Sequence, residues 1–209
     1  MKVACLNIII LLCCLSSAYC QYDSLKPQGI YTSNFIIDQT PRNLTYYMPL
    51  QYGKLEDYPL LIFLHDKGSS AQNIIKKYGE LIHAKADSVN CVVMYPDAVA
   101  GRWHIEDSVN DIAFLTIMLT FFTQQYHCNA NRIYLLGIGN GGNMCYHFIC
   151  KSSSVVSAIT SIQASSDWVS EQNCLKKESV PILNITTETN IKSAISKSFD
   201  FLFSQGNSR

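Results

Sequence analysis

The run with the most chemical content is Arg132-Ile-Tyr-Leu-Leu-Gly-Ile-Gly-Asn-Gly-Gly, a strand-like apolar stretch that enters a glycine turn and opens a helix. Two chemistries fit it. As G-x-G-x-x-G, Gly137, Gly139 and Gly142 would let the backbone approach a pyrophosphate at the helix N-terminus, with Asp167 at the end of the next strand holding a ribose. A dinucleotide fold opens with this unit, whereas here three strands precede it, so a cofactor-binding protein is the minor alternative. As G-x-S-x-G, the strained strand–turn–helix that presents a nucleophilic serine, Gly137 and Gly141 take the flanking places and Gly139 stands at the centre. Gly139 has no side chain, so the attacking group is missing. Glycine enters such a turn freely, which relieves strain of about 1 to 3 kcal/mol while deleting the nucleophile.

The remaining chain supplies the framework that would position this turn. Short apolar runs alternate with longer amphipathic ones, the pattern of a mostly parallel sheet with helices on both faces. Gly29 to Pro49, broken at Thr40-Pro41-Arg42-Asn43, reads as an antiparallel hairpin leading in. Leu60–Leu64 is a strand buried on both faces, followed by a helix from about Ala71 to Asp87. The alternation continues with strand Cys91–Tyr95, helix Val109–Tyr126, strand Arg132–Leu136 and helix Asn143–Cys150. Strands Ala158–Gln163 and Pro181–Ile185 precede a last helix, Ile191–Phe203.

Composition narrows the function to a site. The chain is 48% hydrophobic, enough for a core, and its sixteen basic residues balance sixteen acidic ones, which leaves no footprint for nucleic acid and no polybasic membrane patch. Lys2, the apolar run Leu6–Leu15 and the small-residue end Ala18-Tyr19-Cys20 read as a secretory signal cleaved before Gln21. The run is shorter than the roughly 20 apolar residues of a spanning helix, so no membrane anchor is expected. Residues 21–209 then form one secreted domain. It retains Cys91, Cys128, Cys145, Cys150 and Cys174, an odd number that allows at most two disulfides and leaves one thiol. Metal-ligand spacing is absent and no cofactor is expected. Asn43-Leu44-Thr45 is a glycosylation acceptor in an expected turn; Asn184-Ile185-Thr186 lies in a strand-like run and is the poorer one.

Five motifs in order carry a resemblance. Leu64-His65-Asp66-Lys67-Gly68, Tyr95-Pro96-Asp97-Ala98, Trp103 followed by Asn110-Asp111-Ile112-Ala113-Phe114-Leu115, Arg132-Ile133-Tyr134, and the turn around Gly139 together resemble the secreted polyester and feruloyl esterases of the α/β-hydrolase fold, the polyhydroxybutyrate depolymerase-like group. The likeness runs from about Tyr46 to Asn190. It implies an acyl-enzyme mechanism in which serine attacks, histidine takes its proton and aspartate orients the histidine. Val180 to Asn190 matches the segment that brings the acid, and Asn190 stands in the aspartate's place. No histidine follows His147, so the C-terminal strand and histidine loop of the family are expected to be lacking. The oxyanion hole would draw one amide from the turn after the first buried strand, where His65-Asp66 replaces a His-Gly pair, and the other from Asn140. A carboxylate beside a forming oxyanion opposes it, so the hole survives only if Asp66 points away. The resemblance also suggests a disulfide between Cys150 and Cys174, which bracket one strand.

Other candidates read as structural. His127-Cys128 sits in a polar turn, and Cys145 and His147 point to different helix faces. His65 is expected to pack or bond beneath its turn, and His83 and His104 to be surface or satisfied residues. Asp111 is structural, and Glu188 would be a displaced carboxylate with nothing to orient. These features describe a secreted esterase homologue that has lost catalysis and keeps a cleft for a carbohydrate ester, a polyester or a protein ligand. The alternative is an active secreted carboxylic ester hydrolase whose sequence is incomplete or altered.

Overall fold

The computed structural model describes residues 27–54, 57–104, 110–152, 155–164 and 180–205. Its seven strands are β1 (Gly29–Ile37), β2 (Thr40–Met48), β3 (Tyr58–Leu64), β4 (Val92–Pro96), β5 (Cys128–Ile138), β6 (Ala158–Ile162) and β7 (Ile182–Ile185). Four helices connect or follow them: α1 (Ala71–Ser88), α2 (Asp111–Gln125), α3 (Asn140–Ser152) and α4 (Ile191–Gln205). The strands form one sheet in the order β1-β2-β4-β3-β5-β6-β7. β1 and β2 pair antiparallel, as do β2 and β4, and every later pairing is parallel.

Strand periodicity divides the core into two layers. All seven residues of β3 are buried. Leu60, Ile62 and Leu64 face one layer with Phe114, Leu115 and Met118 of α2 and Met144 and Phe148 of α3. Leu61 and Phe63 face the other, with Ile74 and Ile82 of α1 and Ile195 and Phe199 of α4. Because successive side chains of a strand point to opposite faces, the continuous apolar run of β3 is what a strand covered on both sides requires.

Most element ends shift from the sequence expectation by one or two residues, and the larger differences have local reasons. The hairpin reverses at Asp38-Gln39, both in the left-handed region (φ 49° and 61°), and Thr40–Asn43 belong to β2. Two consecutive left-handed residues make the tight turn whose twist matches the flanking strands. Pro41 is tolerated because it lies outside Leu44–Tyr47, the part of β2 that pairs with β4. β5 begins at Cys128, which pairs with Tyr58 before a register shift; the polar Asn129-Ala130-Asn131 hides that extension in sequence. α3 begins at Asn140, taking Gly141 and Gly142 into its first turn.

Candidate functional site

The glycine turn lies at the C-terminal end of β5, at the centre of the parallel sheet. Gly139 is left-handed (φ +53°), donates its amide to Ile162 O (2.8 Å) and accepts from the Asn143 amide (3.1 Å). A Cβ on Gly137 would collide with the Gly141 carbonyl, and one on Gly141 with the carbonyls of Leu64 and His65. The flanking glycines therefore let the start of α3 press against β5 and the end of β3. The backbone is that of the strand–turn–helix expected for a nucleophile, with no side chain at its apex.

Asp66 fills the place the nucleophile leaves. A Cβ on Gly139 would collide first with Asp66 Oδ1 and Cγ, so the carboxylate stands directly over the missing side chain. Asp66 Oδ1 accepts the backbone amides of Lys67 (2.7 Å) and Asn140 (2.8 Å). The Asn140 amide is the donor that would stabilise an oxyanion formed at residue 139, and here it is bonded to a resident anion. The condition for a working hole, an Asp66 that points away, is not met.

His65 is fixed beneath this turn and is 1% exposed. Its Nε2 accepts the Ala98 amide (3.1 Å), so the ring proton sits on Nδ1, which donates to Asp66 O (2.7 Å). Both ring nitrogens are engaged with backbone, leaving no lone pair for a base. Trp103, fully buried, donates its indole N–H to His65 O (2.9 Å). Asn140 clamps the same tryptophan, accepting Trp103 N–H at Oδ1 (2.7 Å) and donating from Nδ2 to Trp103 O (3.3 Å).

Behind the clamp lies a buried ion pair that nothing in the sequence pattern announces. Arg42 of β2, 3% exposed, donates to Asp111 Oδ1 (2.5 Å) and lies 4.8 Å from the Phe114 ring centre. Asp111 Oδ2 accepts the His104 amide (2.7 Å), tying the segment after Trp103 to the start of α2. Arg42 reads in sequence as a turn residue, because only its sheet register places it against α2.

The expected acid is elsewhere in role. Asn190 caps α4, its Oδ1 accepting the amides of Lys192 (3.1 Å) and Ser193 (3.3 Å). Glu188 is ion-paired with Lys197 (2.5 Å), whose ammonium holds its carboxyl below the usual range. His83 departs from expectation: it stacks on Tyr47 (ring centres 3.9 Å apart), and its buried Nε2 has no hydrogen-bond partner. Burial lowers its pKa. Cys91, Cys128 and Cys145 are buried thiols whose pKa values burial pushes up, which removes them as nucleophiles. Cys150 is disulfide-bonded; Cys174, its expected partner, lies outside the described residues. So does Asp167, and the pyrophosphate reading also loses its donors, since the Gly139 and Asn140 amides are already bonded to Ile162 and Asp66.

A cavity of about 350 Å³ opens beside the turn, lined by Asp66, Lys67, Asn73, Tyr78, Ile138 and Gln163 among others. Asp66 is the acidic residue of this lining and brings a carboxylate to the cleft.

No protein-family model matches the sequence, and no curated protein does. Solved structures do. A ferulic acid esterase superposes with a TM-score of 0.66 at 12% identity, covering 86% of this chain and 100% of its own. The S-formylglutathione hydrolase of Staphylococcus aureus gives 0.62 at 12% identity, over 88% and 89% of the two chains. A thermostable esterase gives 0.58 at 15%, over 85% and 60%. The chain has the esterase-like α/β-hydrolase fold, as its five motifs imply.

Proposed function

We propose that this protein is a secreted esterase homologue that does not hydrolyse esters and uses the cleft beside Gly139 and Asp66 to bind a ligand. One observation carries the reading: the Asp66 carboxylate occupies the oxyanion hole above a residue without a side chain. An acyl transfer needs a nucleophile, a base and donors for the developing charge. Gly139 supplies no nucleophile, His65 has both nitrogens bonded to backbone, and the donors face a fixed negative charge that would repel an oxyanion. Deletion of a nucleophile alone leaves residual catalysis from the hole and from binding. Filling the hole removes that remainder too.

The test is direct. Purified residues 21–209 should give p-nitrophenyl acetate and methyl ferulate turnover equal to the no-protein control, and no labelling by a fluorophosphonate probe. Stoichiometric labelling at any serine, or turnover that titrates with the probe, would establish an active hydrolase and overturn the reading.

A further inference from the structure

We infer that the seam between α1 and α4 holds a second binding site, for a small molecule carrying a phosphate or sulfate ester. A cavity of about 580 Å³ lies there, lined by Lys76, Lys77, Tyr78, Gly79 and Ala84 of α1 and by Asn190, Lys192 and Ser193 at the start of α4. Three exposed lysines from two helices thus line one cavity, against a single acidic lining residue, Glu80.

The rest of the same seam shows that this is not its usual arrangement. Farther along it Lys85 of α1 is paired with Asp200 of α4 (2.8 Å). Lys76, Lys77 and Lys192 are in no ion pair among the described residues. Three cations against one carboxylate leave an excess of about two charges, which a dianionic phosphate ester or a bis-sulfate matches and a monocarboxylate does not. The α4 amides are not the source of attraction, because Asn190 Oδ1 already caps two of them. Asn190 keeps its Nδ2 as a donor beside the lysines.

Size identifies the rest of the ligand. A bare oxyanion would leave most of 580 Å³ empty, whereas a monosaccharide ester fills the range typical of small-molecule sites. Tyr78 and Leu81 add apolar surface to the same lining. Lys77 and Tyr78 also line the cleft beside Gly139, but the site requires nothing of that cleft and stands whether or not the protein hydrolyses esters.

Calorimetric titration at low ionic strength tests this with four probes: inorganic phosphate, inorganic sulfate, glucose 6-phosphate and glucosamine 2-N,6-O-bis-sulfate. Saturable one-to-one binding is expected, tighter for the sugar esters than for the bare ions, and preference between the two esters identifies the oxyanion. Lys76→Ala and Lys192→Ala should each weaken binding about tenfold, as expected for loss of one charge-assisted contact, while Lys85→Ala leaves it unchanged. These lysines are on the surface, so the variants should keep the wild-type melting temperature. No saturable binding of any probe would overturn the inference, and so would equal weakening by Lys85→Ala, the mark of diffuse charge attraction.

Discussion

The turn after β5 and the loop after β7 lie at the same end of the parallel sheet, where the fold brings a nucleophile and an acid, and they depart from that chemistry in opposite ways. At the β5 turn the backbone is retained and the side-chain volume has moved: a glycine stands where serine is expected, and an aspartate stands across from it where glycine is expected. The carboxylate of Asp66 occupies the space over Gly139 and takes the Asn140 amide. At the β7 loop nothing has been exchanged with a neighbour; Asn190 serves its own helix as a cap. The difference follows from packing. The β5 turn is pressed between the carbonyls of Leu64 and His65 and the end of β6, so a change at one residue must be met by its contact. β7 is an edge strand with alternately exposed residues, and its loop accepts a local solution.

The sharpest way to break this comparison is to restore the serine. Gly139→Ser should lower unfolding free energy by about 2 to 3 kcal/mol, because the new Cβ must displace Asp66 and adopt a left-handed backbone. Asp66→Gly in the same chain should recover part of that loss, since it removes the collision and leaves the backbone strain. Urea denaturation of the single and double variants measures the coupling. Neither variant should turn over esters, as no base is positioned. Additive effects of the two substitutions would show that Asp66 moves aside freely and that the turns are not complementary.

The order of elements and the position of the turn were legible because each rests on local pattern: the both-faces apolar run of β3, the alternation of apolar and amphipathic runs, and the glycine spacing at 137, 139 and 141. What could not be read was where charged side chains go. Asp66 could have faced solvent; the Asn140 amide and the empty apex at Gly139 draw it inward, and those lie 74 and 73 positions away. Arg42 sits in a strand whose register alone sets it against Asp111. The start of β5 was hidden for a different reason, since Asn129 and Asn131 carry no strand signature and owe their conformation to pairing with the segment near Tyr58.

A smaller effect probes the other region. Asn190→Ala should destabilise the protein by about 1 kcal/mol, the ordinary loss of a helix N-cap. Asn190→Asp should leave stability at or slightly above wild type, because a carboxylate caps equally well and faces the positive end of α4. Neither should change binding in the cleft beside Gly139. Thermal denaturation gives the ranking, and an alanine variant as stable as wild type would mean that Asn190 is held by something other than its cap.

The smallest expected effect is read by pH at Glu188 of the β7 loop. Lys197 donates a hydrogen bond to Glu188 and holds its carboxyl below the ordinary value of 4.5 in the folded protein. A folded-state pKa below the unfolded one means that, between the two, the unfolded chain binds more protons, so stability falls as the solution is acidified. The ion pair's contribution is therefore present above about pH 4.5 and lost as pH drops through the folded value. Both groups are at the surface, and salt screens the interaction. Glu188→Gln should accordingly lower the melting temperature slightly at pH 7 in dilute buffer, and match wild type both at pH 3 and in concentrated salt. A deficit that persists in acid and in salt would assign Glu188 a packing role at the β7 loop, and the contrast between a tightly coupled β5 turn and a locally adaptable β7 loop would fail there.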